Sequence, residues 1–304
     1  MTAKHVRDLF GTFKIPCPAK VNLGLKVVGR REDGYHLLEM VMEPVSLFDF
    51  LSLKVSSAQS SVVTLQCPDI PGLKTGNNLV VKAAQKMLAI AAIRGIDTTA
   101  EFSFFLDKQI PVGAGLGGGS SDAAAILLLL NAILSLELSI SELQALAIDL
   151  GADVPFFLRS ELCLVEGIGE QLSPLSHPHR RWYVLIKPPF AVNTSWAYKK
   201  LNYKLTNNKY NINIRQFFRS VCGNEKYSLF NDFEEVIFAE FQLLDEIKQW
   251  FMGCREVRGA LMSGSGSAVY AVFSAYEPAM QAYARGCARW GGSGCLVFLV
   301  HNLL

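Results

Sequence analysis

The alternation of hydrophobic and polar positions predicts a sheet and then a helix in the first hundred residues. Between residues 13 and 53, short runs of Val, Leu and Phe are separated by turn signals such as the Arg-Glu-Asp-Gly sequence at 31–34. Residues 62–66 continue the strand pattern, and residues 79–94 then have helical periodicity. Asn77 or Asn78 would cap this helix.

The remaining pattern mixes both types of element. Residues 101–106 predict a strand, and residues 123–136 predict an apolar helix opened by Ser120-Ser121-Asp122. The Ser-Ile-Ser-Glu sequence at 139–142 predicts the capped start of another helix, which ends at Asp149, before Gly151. Further strands are predicted at 162–166, 182–186, 268–273 and 295–300, and further helices at 230–252 and 277–289. The pattern therefore predicts a mixed α/β (α+β) fold, with an Asn/Lys/Tyr-rich surface insertion at 202–213.

Length and charge narrow the class of protein. A chain of 304 residues that is 50% hydrophobic can bury a large core, and we expect two lobes, at 1–160 and 161–304. The 29 Lys and Arg against 27 Asp and Glu leave a formal charge of +2. Because no dense basic run is present, nucleic acid is not an expected partner.

Targeting and redox signals point to the cytoplasm. The apolar stretch at 123–136 is too short for the roughly 20 residues that span a bilayer, and the first 14 residues lack the apolar core of a secretory signal. We therefore expect no membrane association. The seven cysteines are odd in number and never spaced as a CxxC pair, which favours a reducing compartment and no structural zinc. The sequence leaves the oligomeric state open.

The clearest chemical signal is a glycine-rich loop that leads directly into a helix. Five of the seven positions from 113 to 119 are glycine, which allows backbone N–H groups to approach phosphate oxygens, and a helix N-terminus adds partial positive charge. The predicted ATP-binding residues of this loop are Pro111, Val112, Gly113, Ala114, Gly115, Leu116, Gly117, Gly118, Gly119, Ser120 and Ser121. A flexible surface loop is the plainer alternative, but an apolar helix would not usually follow such a loop at once.

Two other phosphate-binding motifs fit less well. A Walker motif counted from Gly113 needs a lysine where this chain has Gly119. Gly113, Gly115 and Gly118 do satisfy GxGxxG, and Glu137 lies at about the distance of a ribose-binding acid. Glu137 follows a helix with no intervening strand, however, so a dehydrogenase remains the weaker alternative.

Three segments together resemble a kinase superfamily. They are the Pro-Ala-Lys-Val-Asn-Leu sequence at 18–23, the loop at 111–121 and residues 259–268, and they resemble the galactokinase, homoserine kinase, mevalonate kinase and phosphomevalonate kinase (GHMP) superfamily. Residues 29–36, 150–157 and 166–170 more closely resemble the kinase family that acts on 4-diphosphocytidyl-2-C-methyl-D-erythritol. The resemblance covers the chain from residue 15 onward apart from 202–213, although serines at 262–267 stand where relatives often have Thr or Pro.

The resemblance implies both a fold and a reaction. The implied fold has two lobes, an ATP-binding lobe at 1–160 and a substrate-binding lobe at 161–304, with the active site in the cleft between them. The implied reaction transfers the γ-phosphoryl group of ATP, accompanied by Mg²⁺, to the 2-hydroxyl of a small cytidylyl substrate. The products would be the 2-phosphate and ADP, in non-mevalonate isoprenoid precursor biosynthesis.

The family motifs also imply catalytic roles. Asp153 would be the general base, and Lys20 would hold it ionised, orient the acceptor and stabilise charge in the transition state. Without the resemblance, Asp153 could equally be a turn residue that accepts backbone N–H groups. A solvated surface lysine is the ordinary alternative for Lys20, but this lysine lies in an apolar strand.

For the nucleotide, the resemblance implies that Ser120 and Ser121 face phosphate or Mg²⁺, although both hydroxyls could also cap the helix. It places Asn78, Leu79 and Lys108 near the adenine or the ribose. It assigns no ligand to the metal.

For the cytidine, the resemblance implies a stacking platform and polar contacts to the pyrimidine edge. Tyr35 and His36 match one side, while Thr194 and Tyr198 match the other, with Trp196 as a possible substitute ring. Asn22 would hydrogen-bond the substrate near Lys20. Outside this motif, a half-buried core tyrosine and a structural histidine would be the usual interpretations of Tyr35 and His36.

Two alternatives to this function stay open at the level of sequence. The chain could be another kinase of the superfamily that acts on a sugar, homoserine or mevalonate, although the Gly-Tyr-His element at 34–36 would then have no explanation. It could also be a non-catalytic sensor that binds ATP and a ligand, which the presence of Lys20 and Asp153 disfavours.

Overall fold

A computed structural model describes residues 11–68, 78–176, 179–202 and 229–304. Asn77, most of the predicted insertion at 202–213 and the first ten residues lie outside the described residues. The described chain separates into two compact units that are discontinuous along the sequence. The first is drawn from Met1–Ala19, Leu47–Ile110 and Gly117–Ser160, and the second from Lys20–Ser46, Pro111–Leu116 and Glu161–Leu304. The assignment of nucleotide and substrate binding to lobes at 1–160 and 161–304 stays a prediction.

Two long strands contribute residues to both units: β1 (Thr12–Arg30) and β2 (His36–Ser56). The sequence predicted shorter strands here. The turn between them was predicted correctly, since the Gly34 N–H donates to the carbonyl of Arg31 and Gly34 has a φ of 92°, a conformation that glycine adopts without strain.

The first unit places helices against a small sheet. Its other elements are β3 (Val62–Gln66), α1 (Leu79–Ile93), β4 (Glu101–Asp107), α2 (Gly118–Ile133), α3 (Ile140–Ile148) and α4 (Val154–Phe157). β4 pairs antiparallel with the end of β2 and parallel with β3. α1 packs against α2, which also contacts α3 and α4. Alternate side chains of β4, such as Phe102 and Phe104, are fully buried, as expected for a strand with one face on a core.

The second unit is built around an antiparallel sheet. Its elements are β5 (Cys163–Gly167), β6 (Gln171–Pro174), β7 (Trp182–Lys187), α5 (Thr194–Asn202), β8 (Phe230–Asn231), α6 (Glu234–Glu240), α7 (Gln242–Met252), β9 (Gly259–Met262), β10 (Val269–Phe273), α8 (Tyr276–Trp290), a 3₁₀ turn (Gly291–Ser293) and β11 (Leu296–His301). The sheet order is β11-β7-β10-β9, and every residue of β10 is buried. β5 pairs with β2 and β6, and β8 is parallel to β1.

Two helix predictions need correction. The helix predicted at 123–136 begins at Gly118, so Ser120 and Ser121 lie in its first turn and Gly117 occupies the cap position without a side-chain cap. The cap signal of the two serines was therefore misleading, because the glycines before them adopt the helix start. The helix predicted at 230–252 is a short strand and two helices, separated at Phe241, whose φ of −121° and ψ of 75° are not helical.

A buried polar network joins the end of the second unit to β2. The Arg181 guanidinium donates to Glu43 at 2.6 Å, and the hydroxyl of Tyr183 donates to the same carboxylate. Asn302 accepts the backbone N–H of Arg181 at 2.8 Å. Because these groups are almost fully buried, their mutual hydrogen bonds offset the cost of taking them out of water. Burial, with the nearby Glu43 charge, raises the pKa of Tyr183 well above its usual value.

The fold has the mixed α/β character that the sequence predicted. No helix in the described ranges is both long and apolar enough to cross a membrane.

Candidate active site

In the first unit, the segment before the glycine-rich loop is held by one buried carboxylate. Asp49, on β2, accepts the backbone N–H groups of Gln109 at 2.7 Å and Ile110 at 2.8 Å. Its other oxygen accepts a hydrogen bond from the Lys108 ammonium, which also pairs with Asp122 of α2 at 2.9 Å. The cluster of Asp49, Lys108 and Asp122 therefore ties β2, the exit of β4 and the first turns of α2 together.

Burial gives this cluster unusual electrostatics. The burial of Asp122 raises its pKa to about 7, although the nearby Lys108 charge acts in the opposite direction. For Lys108, burial alone would lower the pKa, but the attraction of Asp122 and Asp49 outweighs it and leaves the pKa raised. Burial and the two carboxylates also raise the pKa of the Cys17 thiol, so Cys17 stays protonated and unreactive.

The start of α2 has the geometry of an anion site. Gly117 has a φ of 72°, which favours glycine. A Cβ on Gly118 would lie 3.0 Å from Ile110 and 3.1 Å from Asp49, so a side chain there would require these neighbours to shift. The Ser121 side chain in the first turn is buried, and its hydroxyl has no hydrogen-bond partner among the described residues. A buried hydroxyl at a helix N-terminus, where N–H groups are also unpaired, can bind a phosphate oxygen or a cation.

The predicted adenine or ribose residues lie beside this helix start in different ways. Asn78 caps α1, because its Oδ1 accepts the N–H of Val80 at 2.8 Å, as predicted. The Leu79 side chain lies against Gly119, where an added Cβ would be 4.0 Å from its Cδ1. The Lys108 side chain pairs with the carboxylates of Asp49 and Asp122. Lys108 would therefore contact the nucleotide through its backbone groups.

Asp153, the predicted general base, is at the N-terminal cap position of the short helix α4. Its carboxylate makes no cap hydrogen bond to that helix. Asp153 therefore does not act as a side-chain cap of α4.

In the second unit, Lys20 is buried in β1 next to Asn22. Its side chain donates from Nζ to Asn22 Oδ1 at 2.6 Å, and the residue is 3% exposed. The Asn22 backbone carbonyl accepts the hydroxyl of Tyr270 at 2.7 Å. A lysine held in this way presents its charge in one fixed direction, because the amide oxygen and the surrounding core restrict its rotamers.

Residues 111–116 of the glycine-rich loop, also in the second unit, lie against a second glycine-containing turn, residues 263–268. The Gly113 and Ala114 carbonyls accept the N–H groups of Ser267 and Ala268 at 3.4 and 3.1 Å. The Gly115 carbonyl accepts the Ser263 hydroxyl at 2.9 Å. This pairing brings together two of the three segments that carried the resemblance to the superfamily.

The third segment joins them at Lys20. The backbone N–H of Lys20 donates to the Leu116 carbonyl at 2.9 Å. A Cβ on Gly264 would lie 3.3 Å from Lys20 Nζ and 3.3 Å from the Gly115 carbonyl oxygen. Lys20, the loop and the turn at 263–268 therefore form one site within this unit.

Two of the predicted cytidine residues, His36 and Tyr198, form an aromatic cluster with Phe233 in the same unit. The rings of His36 and Tyr198 are stacked with centroids 4.6 Å apart, and Tyr198 also meets the edge of Phe233 at 4.8 Å. Tyr35 lies at the turn before β2 and is 62% exposed. Tyr35 directly precedes His36 in the chain, and its exposed ring offers flat aromatic surface on which a base can stack.

Thr194, Trp196 and Tyr198 of α5 have different neighbours. Thr194 lies within 2.8 Å of the Ser265 hydroxyl, which places it at the turn of 263–268. Trp196, the possible substitute ring, packs on its edge against Phe241 instead. Tyr198 is therefore the ring of α5 that faces His36.

Sequence reasoning missed Asp49, Asp122, Asn231 and Phe233. Asp49 and Asn231 have one available signal each, since an Asp or Asn within an otherwise apolar strand pattern is usually buried with a defined partner. The side chain of Asp49 holds residues at least 59 positions away, and the side-chain nitrogen of Asn231 donates to carbonyls 31 and 33 positions away, so no local motif identifies these contacts. Among the described residues, no group of His, Cys, Asp and Glu is arranged to hold a metal ion by itself.

Comparisons with known proteins agree with this arrangement. Residues 78–161 match the GHMP kinases N terminal domain. The 4-diphosphocytidyl-2-C-methyl-D-erythritol kinase of Syntrophotalea carbinolica is 43% identical over 84% of this chain and 88% of its own, and that of Geobacter sulfurreducens is 38% identical over 88% and 92%. A crystal structure of 4-(cytidine 5'-diphospho)-2C-methyl-D-erythritol kinase superposes with a TM-score of 0.77 at 35% identity, covering 95% of this chain and 99% of that one.

Proposed function

Because the chain belongs to the 4-diphosphocytidyl-2-C-methyl-D-erythritol kinase family, we propose that it transfers the γ-phosphoryl group of ATP to the 2-hydroxyl of that compound. The products are ADP and the 2-phosphate, in non-mevalonate isoprenoid precursor biosynthesis. The observation that carries this proposal is the site formed by Lys20, the loop at 111–116 and the turn at 263–268, which combines a buried cation with close backbone approach. A cytoplasmic location belongs to the same proposal.

The loop at 111–121 binds the phosphates of ATP in this proposal. Its glycines leave backbone N–H groups accessible, and the N-terminus of α2 adds partial positive charge. Mg²⁺ would bind between the phosphates and the hydroxyls of Ser120 and Ser121, where the unpartnered buried hydroxyl of Ser121 offers an oxygen ligand of the type that Mg²⁺ prefers. The metal would neutralise phosphate charge.

Asn78, Leu79 and Lys108 contact the adenine or the ribose in this proposal. Leu79 supplies apolar surface next to Gly119. The Asn78 and Lys108 side chains already have partners within the protein, so their contribution would come from backbone groups.

Asp153 and Lys20 carry the phosphoryl transfer. Asp153 accepts the proton of the 2-hydroxyl as the acceptor oxygen forms its bond to phosphorus, and the bond from the γ-phosphorus to the bridging oxygen of ADP breaks. Lys20 stabilises the negative charge on the acceptor and phosphoryl oxygens. Asn22 orients the Lys20 ammonium through the 2.6 Å hydrogen bond. The Asn22 side chain also hydrogen-bonds the substrate next to Lys20.

The cytidine is recognised by the aromatic cluster. Tyr35 and Tyr198 supply stacking surface, while His36 supports the Tyr198 ring and offers a polar edge to the pyrimidine. Thr194, which lies next to the turn of 263–268, binds the cytidine side of the substrate. A pocket with these groups selects a cytidylyl compound over galactose, homoserine or mevalonate, none of which has a base to stack.

The experiment that tests the reaction is a coupled ADP-release assay with Mg-ATP and 4-diphosphocytidyl-2-C-methyl-D-erythritol, run beside mevalonate, homoserine and galactose. Turnover of the cytidylyl compound alone is expected. ADP release with another acceptor would assign the chain to that acceptor and contradict the cytidine cluster. Absence of turnover with all four would favour the sensor.

The general base is tested by Asp153→Asn, which should lower kcat by roughly 10²-fold or more while leaving ATP affinity unchanged. Asp149→Asn is the matched control, since this aspartate lies one turn before the α4 region and pairs with Lys86 on the surface. Near-normal turnover by Asp153→Asn would remove Asp153 from the mechanism.

A further inference from the structure

Asn231, at the end of β8, is a buried polar residue that the catalytic roles above do not use. It is 6% exposed. Its side-chain nitrogen donates to two backbone carbonyls, those of Met262 and Gly264, each at 2.8 Å. Its side-chain oxygen accepts the N–H of Phe233 at 3.0 Å. The side-chain nitrogen is therefore paired with backbone carbonyls distant along the chain, and the side-chain oxygen is paired with a backbone N–H two residues later.

The two carbonyls that Asn231 holds belong to Met262, the last residue of β9, and to Gly264 in the turn beside Lys20. Gly264 has a φ of 55°, and its Cα hydrogen points to where Lys20 Nζ and Asn22 Oδ1 lie, since an added Cβ would be 3.3 and 3.5 Å from them. The adjoining Ser263 donates to the Gly115 carbonyl. A shift of this turn would therefore change its contacts with both the Lys20 side chain and the loop at 111–116.

The other end of Asn231 acts on the aromatic cluster. Phe233, whose N–H it accepts, places its ring edge on Tyr198, which is stacked on His36. The neighbouring side chains fix the same segment, since Asp232 accepts the N–H of Val27 at 2.8 Å and Glu234 accepts the N–H of Met262 at 2.9 Å. The segment from Asn231 to Glu234 therefore touches both the lysine side and the aromatic side of the second unit.

We propose that Asn231 is a positioning residue for phosphoryl transfer, which sets the turn at Gly264 against Lys20 and the ring of Phe233 against Tyr198 through one side chain. This inference rests on the proposed function. Asparagine suits the position because two carbonyl oxygens need donors and one N–H needs an acceptor, which only a side-chain amide supplies at this size. An aspartate of the same shape would keep the acceptor and direct an oxygen at both carbonyls.

The test compares Asn231→Asp with wild type in the ADP-release assay. Because a displacement of about 1 Å near reacting groups can cost about 10²-fold, we expect kcat to fall by about 10- to 100-fold at pH 8, with a higher KM for the cytidylyl substrate and a smaller change in the KM for ATP. The introduced carboxyl faces two carbonyls, which disfavours its charged form and raises its pKa. Once protonated it can donate to one carbonyl, so the ratio of variant to wild-type kcat should rise as the pH is lowered to 6.

Asn131→Asp is the matched control. Asn131 exchanges two hydrogen bonds with the backbone of Leu138, both at 3.0 Å, and lies near the end of α2. It should lower the melting temperature without changing kcat or either KM at 25 °C, and it should show no rescue at low pH. If Asn231→Asp fails to fold, Asn231→Ser replaces it, because a hydroxyl donates to one carbonyl; its kcat should again be lower than wild type.

Equal kcat values for wild type and the folded Asn231 variant would overturn the proposal. For Asn231→Asp, a loss of kcat that is the same at pH 6 and pH 8 would overturn it as well; Asn231→Ser has no titratable group, so for that variant only the kcat comparison applies. Both results require that wild type turns over the cytidylyl compound. A wild-type enzyme without that turnover would instead contradict the proposed function.

Discussion

Gly115 offers the sharpest test of the loop geometry. Its φ is 73°, and a Cβ there would lie far inside contact distance of the Ser263 carbonyl oxygen, 3.0 Å from the carbonyl carbon and 3.1 Å from the Gly266 oxygen. These are backbone atoms of the turn at 263–268, which cannot rotate away as a flexible side chain can. Gly115→Ala should therefore combine backbone strain with a steric clash.

Gly95 separates the two contributions. It has almost the same conformation, with a φ of 72°, but a Cβ there would meet no atom within 4 Å. Gly95→Ala should cost about 1–2 kcal/mol for the left-handed backbone alone. Gly115→Ala should cost that amount and about 1–3 kcal/mol more for overpacking, or about 2–5 kcal/mol in total.

Urea unfolding of both variants and wild type gives the two free energies of unfolding. A parallel titration of ATP in the ADP-release assay should show a KM for ATP raised by roughly 10-fold or more in Gly115→Ala, because the loop must move from the turn that supports it. Gly95→Ala should leave this KM unchanged. If the two variants lose the same free energy of unfolding and keep the same KM, the contact between the loop and the turn at 263–268 does not shape the ATP site.

Three further outcomes test the buried cluster and the aromatic surface. Lys108→Met should destabilise the protein by about 3–5 kcal/mol in urea unfolding, because it leaves the carboxylates of Asp49 and Asp122 buried without their cation; Lys86→Met, at a surface pair, should cost under about 1 kcal/mol, and equal costs would contradict the cluster. Burial raises the pKa of Asp122 to about 7, so the folded protein keeps a proton that the unfolded chain releases between about pH 4 and pH 7. This group should therefore make stability rise as the pH falls through that range, and an unchanged pH dependence of unfolding in Asp122→Asn would refute the assignment. Tyr35→Ala should weaken binding of the cytidylyl substrate by about 1–3 kcal/mol without lowering the melting temperature, since the ring is exposed; an unchanged KM would exclude Tyr35 from the platform.

Local patterns predicted several elements because the interactions that form them lie within a few residues. The capping box of Ser139 and Glu142 is present, Asn78 caps α1 as expected, and the turn at 31–34 closes on Gly34. In each of these the partners are two to four positions apart, a spacing at which side-chain chemistry and backbone propensity are read directly from the sequence.

The start of α2 was not predicted correctly, because it depends on contacts with residues distant along the chain. Ser120 and Ser121 had the composition of a helix cap, but the helix begins before them at Gly118. A Cβ at Gly118 would lie 3.0 Å from Ile110 and 3.1 Å from Asp49, closer than side chains usually approach, so tertiary contacts favour glycine at that start. A pattern of residue types along the chain contains no information about which backbone will pass close to it.

The sequence by itself determined the mixed α/β class and the family of kinases, because these depend on periodicity and on contiguous motifs. Only the tertiary structure decided that Lys108 pairs with Asp49 and Asp122, that Tyr198 rather than Trp196 faces His36, and that Asn231 holds the turn next to Lys20. Each of these contacts joins residues far apart along the chain. Their geometry depends on strand order and on how helices pack, and no local sequence pattern specifies either.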